Sequence, residues 1–141
     1  MKKELDPHFL AGMPLPIGAM LQIDKVVEID EDKIVCQQKI SKDHWIFPLH
    51  FPGDPIFPGS LLIEAAAQVV AIWGWNTGLR GRFRLVKCTA EFTVPILPTD
   101  GVITYSASAK KRRNVCFGTI QISVGKEVVG TVTANVVVIT N

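Results

Sequence analysis

Two ionisable side chains near the middle of this 141-residue chain are suited to work as a base and an acid. His50 leads into a loop stiffened by Pro52, Pro55 and Pro58. Glu64 follows fourteen residues later, inside the apolar run Leu61 to Trp75. Histidine is the usual proton acceptor near neutral pH. A carboxyl in apolar surroundings is costly unless it is partnered, and active sites keep groups of that kind. Gln68 stands four residues after Glu64 and shares its helix face, where it can either support the carboxyl or take part itself. Between base and acid lies Gly59, where the helix should begin. A helix N-terminus presents unpaired backbone N–H groups, and glycine there lets a ligand carbonyl come close. A base, an acid and an oxyanion site suit proton removal next to a thioester carbonyl with loss of a β-hydroxyl. By position alone, His50 also reads as a structural loop histidine.

The remaining elements have to position that set. Leu61 to Trp75 holds no proline and one glycine, Gly74, and is apolar on nearly every side, as expected of a buried helix. Asn76 and Gly78 suit its C-terminus. Residues 1–19 are loop-like, with a short helical turn expected around His8 to Ala11 after Asp6-Pro7. Met20 to Asp30 and Lys33 to Ile40 read as paired strands about a polar turn. Ser41 to Pro48 leads into the loop, with Trp45, Ile46 and Phe47 expected to be buried. After the helix come four strand-like runs, Leu85 to Val94, Val102 to Lys110, Val115 to Val124 and Glu127 to Ile139. Two strands, one helix and four strands give no βαβ alternation. The expected architecture is therefore α+β: one domain, residues 1–141, with a curved antiparallel sheet of about six strands wrapped around a single central helix.

Composition narrows the function. The chain is 48% hydrophobic and 20% charged, so it is globular. A net charge of +2 gives no case for nucleic-acid binding. Cys36, Cys88 and Cys116 are widely spaced and odd in number, which fits free cytosolic thiols and neither a disulfide framework nor a zinc site. The N-terminal MKKELDPHFL lacks the apolar core of a signal peptide. A membrane span through the central helix would bury Glu64 at a cost of roughly 2.5–3.5 kcal/mol, and Pro55 and Pro58 break that window at its start.

The wording of the central stretch is more specific than its spacing. His50-Phe51-Pro52-Gly53-Asp54-Pro55-Ile56-Phe57-Pro58-Gly59, followed by Glu64 and Gln68, closely resembles the hallmark of the 3-hydroxyacyl-acyl-carrier-protein dehydratases of fatty-acid synthesis. Met20 to Val27 and Glu91 to Pro98 look like strands of the same family, so the likeness spans about residues 14–139. The resemblance implies a hotdog fold and a homodimer with its two active sites at the interface, and leaves open whether dimers assemble further. It pairs His50 with Glu64 of the partner subunit. His50 would take the α-proton, Glu64 would help the hydroxyl leave as water, and the Gly59 N–H would bind the thioester oxygen. The Ile56 backbone and Gln68 would hold substrate, water or the acid. The resemblance implies no metal and no redox cofactor, and a substrate delivered on acyl carrier protein; the free thiols point to the cytoplasm.

The family's two bacterial branches are mixed here. Glu64 and Ala65-Ala66-Ala67-Gln68 point to the branch that only dehydrates. Asp54, Trp73-Gly74-Trp75, Gly81-Arg82 and Leu97-Pro98-Thr99 look like the branch that also isomerises, which often has cysteine where Ser60 stands. The purely dehydrating branch tends to carry Pro-His-Arg-Tyr-Pro where this chain has Pro16 to Met20. The rival functions are an acyl thioesterase of the same architecture, resting on Glu64 without His50, and a non-catalytic acyl-carrier-protein-binding module. Trp73, Trp75, Phe83 and Phe92 are candidates for closing an acyl tunnel. The basic clusters Arg80, Arg82, Arg84 and Lys110 to Arg113 read either as solvated turns or as a dock for an acidic carrier protein. His8 and His44 read as structural.

Overall fold

One helix, α1 (Gly59–Asn76), organises the core. Leu62, Ala65, Ala66, Val69, Val70, Ile72 and Trp73 are buried, while Leu61, Ile63, Glu64 and Ala67 are half-buried. Each buried Leu, Val or Ile contributes about 1.5–3 kcal/mol relative to exposure. The computed structural model describes residues 2–6, 10 and 12–140. The strands are β1 (Lys2–Leu5), β2 (Lys25–Ile29), β3 (Lys33–Lys39), β4 (Arg82–Phe92), β5 (Val102–Arg112), β6 (Val115–Val124) and β7 (Glu127–Ile139). They form one antiparallel sheet in the order β1-β2-β3-β5-β6-β7-β4.

Alternation along the strands turns one face of the sheet to the helix. Ile34, Cys36 and Gln38 of β3 face inward, as do Ile103, Tyr105 and Ala107 of β5 and Cys116, Ile120 and Ile122 of β6. Gly118 of β6 shows how closely α1 is seated. A Cβ there would lie 2.4 Å from Val70 Cγ2, so only glycine fits beneath the helix.

The six expected strands are present, and β1 is an addition in a segment expected to be loop. It pairs with β2 at the sheet edge. The strand expected from Met20 begins only at Lys25; before it, Gly18–Met20 is a 3-10 turn and Gln22 bonds away from the sheet ladder. Trp45, expected to be buried, is 43% exposed, whereas Phe47 is buried. The expected helical turn around His8 to Ala11 lies outside the described residues except for Leu10. No helix among the described residues is long and apolar enough to cross a membrane.

Candidate active site

The loop before α1 is built to hold His50. Phe51 and Asp54 exchange two backbone hydrogen bonds of 2.8 Å, closing a turn in which Gly53 takes φ +75°. The Ile56 N–H donates to the His50 carbonyl at 2.9 Å, and His50 Nδ1 lies 3.1 Å from the Ile56 carbonyl. A carbonyl oxygen only accepts, so Nδ1 carries the hydrogen. In the neutral ring Nε2 is then an open acceptor, the form a general base needs. The ring is stacked on Phe51, with centroids 4.0 Å apart. The Phe57 N–H, bonded to the Ile96 carbonyl at 2.9 Å, ties the loop to the segment after β4. The Ile56 backbone, expected to hold substrate, water or the acid, thus bonds His50 through both its N–H and its carbonyl.

Pro58 is the N-cap of α1 and offers no side-chain cap. The N–H groups of Leu61 and Leu62 turn back to the Pro58 carbonyl, so those of Gly59 and Ser60 precede the helical ladder. The Gly59 N–H therefore stands at the helix N-terminus, where backbone donors have no intrahelical acceptor. A second constraint on this glycine comes from the strand that follows the helix. A Cβ on Gly59 would lie 2.6 Å from Phe92 Cε2 and 2.9 Å from Cδ2, so the close approach is made by an aromatic ring of β4. Ile56, Gly59 and Phe92 line one cavity of about 270 Å³.

Glu64 sits one turn further along α1, in a groove of about 430 Å³ whose lining includes Met13, Leu15, Ala67, Gln68 and Phe83. Of the four aromatic residues considered for an acyl tunnel, only Phe83 lines this groove. Trp73 is buried with its Nε1 donating to the Asp30 carbonyl, Trp75 packs at the helix end against Phe83, and Phe92 lies over Gly59.

Gln68 fits the supporting role. Its Nε2 donates to Glu64 Oε2 and to the Met20 carbonyl, both at 2.7 Å, and its Oε1 accepts from the Gln22 backbone N–H at 2.8 Å. The network continues inward. Gln22 Nε2 donates to the carbonyls of Ala19 and Met20 at 3.0 and 3.2 Å. Gln38 Nε2 donates to Gln22 Oε1 at 2.8 Å, and the Tyr105 hydroxyl donates to Gln38 Oε1 at 2.7 Å. Sequence reasoning missed Gln22, Gln38 and Tyr105. The signal was there for two of them: each stands at an inward strand position, in step with Ile34 and Cys36 or with Ile103 and Ala107.

Within one chain the His50 ring bonds Ile56 and the Glu64 carboxyl bonds Gln68, and Glu64 lines the groove of about 430 Å³ without His50. The edge of β4 away from β7 is unpaired, and Leu85, Val86 and Phe92 are exposed along the strand. The two basic clusters approach each other at the C-terminal end of α1. Arg80 donates to the Trp75 carbonyl and its guanidinium lies 4.4 Å over the Trp75 ring, while Lys111 Nζ donates to the Thr77 carbonyl at 3.0 Å. Cations there complement the helix dipole. His44 lies among Trp45, Phe47 and Phe57, and burial lowers its pKa. Cys36, Cys88 and Cys116 are free thiols, and burial pushes Cys116 up to about 11. No group of three or more His, Cys, Asp or Glu among the described residues is placed to hold a metal ion.

Residues 15–133 match the model of the FabA-like domain. Among solved structures, the dehydratase heterocomplex ApeI:P from Xenorhabdus doucetiae is similar at 19% identity and TM-score 0.74, covering 89% of this chain and 88% of that one. A putative thioesterase, a phenylacetic acid degradation-related protein from Ralstonia eutropha, is similar at 20% identity and TM-score 0.67, covering 93% and 97%. The PaaI protein of the phenylacetic acid degradation operon of Escherichia coli is similar at 17% identity and TM-score 0.63, covering 79% and 80%. At these identities the structural likenesses show the hotdog fold alone.

Proposed function

This chain belongs to the FabA-like domain family, and we propose that it dehydrates (3R)-3-hydroxyacyl thioesters carried on acyl carrier protein, giving the trans-2-enoyl product. The observation that carries this reading is the clasp between His50 and Ile56, which fixes the ring tautomer and leaves Nε2 as a base. His50 Nε2 takes the α-proton of the substrate. Charge that develops on the thioester oxygen is met by the Gly59 N–H. Glu64 protonates the β-hydroxyl, which leaves as water as the double bond forms. The groove beside Glu64, lined in part by Phe83, takes the acyl chain.

A hotdog thioesterase is the rival, and two of the similar folds are proteins of phenylacetic acid degradation. Hydrolysis that rests on a helix carboxylate has no use for a clasped histidine with a free Nε2. A binding module has no use for it either.

The site is composite in this reading. Two copies pair through the open edge of β4 into a homodimer, and His50 of one protomer meets Glu64 of the partner subunit. The exposed apolar residues along the open edge strand β4 support this. Arg82, Arg84 and the Lys110–Arg113 hairpin offer positive charge to an acidic carrier protein, and the three free thiols accord with the cytoplasm. The test is complementation. His50→Ala and Glu64→Ala are each expected to be folded and inactive. Random reassortment of the two should restore about one quarter of parental turnover, because half the dimers are mixed and each mixed dimer has one intact site of two. No recovery from mixed dimers of demonstrated formation would sink the composite site. Near-parental activity of either single variant would sink the mechanism.

A further inference from the structure

Glu64 must present its proton in one direction, and the structure contains a device that sets it. The Gln22 backbone N–H donates to Gln68 Oε1, and the Met20 carbonyl accepts from Gln68 Nε2. Neither backbone group can reverse its role. A flipped Gln68 amide would set N–H against N–H and oxygen against oxygen. The amide therefore turns one N–H to Glu64 Oε2, and the other carboxyl oxygen, Oε1, is left to carry the proton.

Both backbone groups belong to residues 20–22, a segment outside the sheet ladder in which Met20 is 48% exposed. Something must hold that segment in register with α1. The Gln22 side chain does so from within. It is 2% exposed, bonds back to the carbonyls of Ala19 and Met20, and accepts from Gln38, which in turn accepts from Tyr105. Gln38 is on β3 and Tyr105 on β5, so the segment is pinned to the middle of the sheet. Burying three amides and a phenol is costly unless every group is paired. The one fully buried side-chain N or O without a partner among the described residues is Trp75 Nε1, outside this network. Burial also holds the Tyr105 hydroxyl protonated well above the usual tyrosine range, so it remains a donor.

Resting on the dehydratase reading above, we propose that Gln22, Gln38 and Tyr105 are positioning residues: a buried relay that locks the Gln68 amide and thereby assigns the catalytic proton to Glu64 Oε1. None of the three touches substrate. The relay should affect turnover and leave binding alone.

The test compares Gln22→Leu, Tyr105→Phe, Gln68→Leu and the double variant Gln22→Leu/Gln68→Leu. With a 3-hydroxyacyl-carrier protein as substrate, Gln22→Leu should lower kcat by about ten- to a hundredfold at unchanged KM, as expected for a misplaced reacting group. Tyr105→Phe should lower it less. The double variant should fall within about threefold of Gln68→Leu alone, because both changes remove one device. Losses that multiply, or a folded Gln22→Leu with parental kcat, would overturn the relay. A readout without substrate separates the relay from the dehydratase reading. The Gln68 side-chain amide protons, assigned in the NMR spectrum by their loss in Gln68→Leu, should exchange slowly with solvent in the parent and at least about tenfold faster in Gln22→Leu. Equal exchange in both would overturn the relay even in an active enzyme. The expected exchange in a parent that dehydrates nothing would support the relay and overturn the dehydratase reading instead. Should Gln22→Leu fail to fold, Tyr105→Phe, which removes one oxygen atom, is read by the same two measurements.

Discussion

Replacing His50 with asparagine separates the histidine's chemistry from its place in the fold. The asparagine amide can reproduce the Nδ1–H that donates to the Ile56 carbonyl, and the backbone bond from Ile56 to His50 is untouched. What disappears is Nε2 and part of the stacking on Phe51. A neutral hydrogen bond of this kind is worth about 0.5–1.5 kcal/mol, and His50→Asn keeps it. Stability should therefore change by less than about 1 kcal/mol, or a few degrees in Tm. Loss of a general base costs about 10²–10⁴ in rate, equivalent to roughly 2.7–5.4 kcal/mol in the barrier. His50→Ala should lose the same rate and more stability, because it also strips the Ile56 carbonyl of its side-chain donor. The assays are turnover of a 3-hydroxyacyl-carrier protein and thermal unfolding, measured on both variants. A His50→Asn protein within tenfold of the parental rate would refute the assignment of Nε2 as the base. An equal loss of stability in both variants would refute the clasp.

Three further outcomes follow from the packing and the titrating groups. Gly59→Ala should cost about 1–3 kcal/mol from overpacking against Phe92, less the roughly 0.5–1 kcal/mol that alanine returns in a helix, and should slow turnover; adding Phe92→Ala should relieve the stability loss, as read by thermal unfolding. Gly118→Ala should destabilise by about 1–3 kcal/mol through Val70 Cγ2, and Val70→Ala should partly restore it in the double variant. His44 has a folded pKa below its unfolded value of about 6.5, so the unfolded chain binds the proton more readily. Its contribution to stability is complete above pH ~6.5 and is lost as pH falls through the folded value. The slope of Tm between pH 5 and 7 should shrink in His44→Phe, and an unchanged slope would assign it to other groups.

The parts of this protein that were legible in the sequence are those where one physical signal dominates. The apolar, proline-free run after Pro58 foretold α1, because little else can bury such a run. The β5, β6 and β7 strands were legible from β-branched residues punctuated by Asp100-Gly101, Asn114 and Gly125-Lys126. Lys2–Leu5 was not, since a short, charged edge strand has no hydrophobic period to read. Met20 to Asp24 misled for the opposite reason. Its apolar residues imitate a strand, whereas Gln22 leaves the ladder to bond Gln68 and Gln38.

The site divides in the same way. His50, Glu64, Gly59 and Gln68 were visible as residue types at chemically useful spacings. What held them in place was not. The Ile56 clasp depends on how the loop folds back over six residues, and the role of Gly59 beneath Phe92 depends on a strand more than thirty residues away. The amide relay joins residues 22, 38, 68 and 105, whose proximity is a property of the sheet order and not of any local pattern. The convergence of Arg80 and Lys111 on the end of α1 is of the same kind.

Removal of water from a carrier-bound 3-hydroxyacyl thioester is the reaction we propose for this chain. The most direct measurement is mass spectrometry of carrier proteins loaded with 3-hydroxyacyl groups of graded length and of polyene type, before and after exposure to the purified protein. Loss of one water from the loaded carrier is expected, abolished in His50→Asn, with the preferred chain length reporting the size of the groove beside Glu64. Release of the free carrier thiol without loss of water, dependent on Glu64 and indifferent to His50, would contradict it and identify a thioesterase.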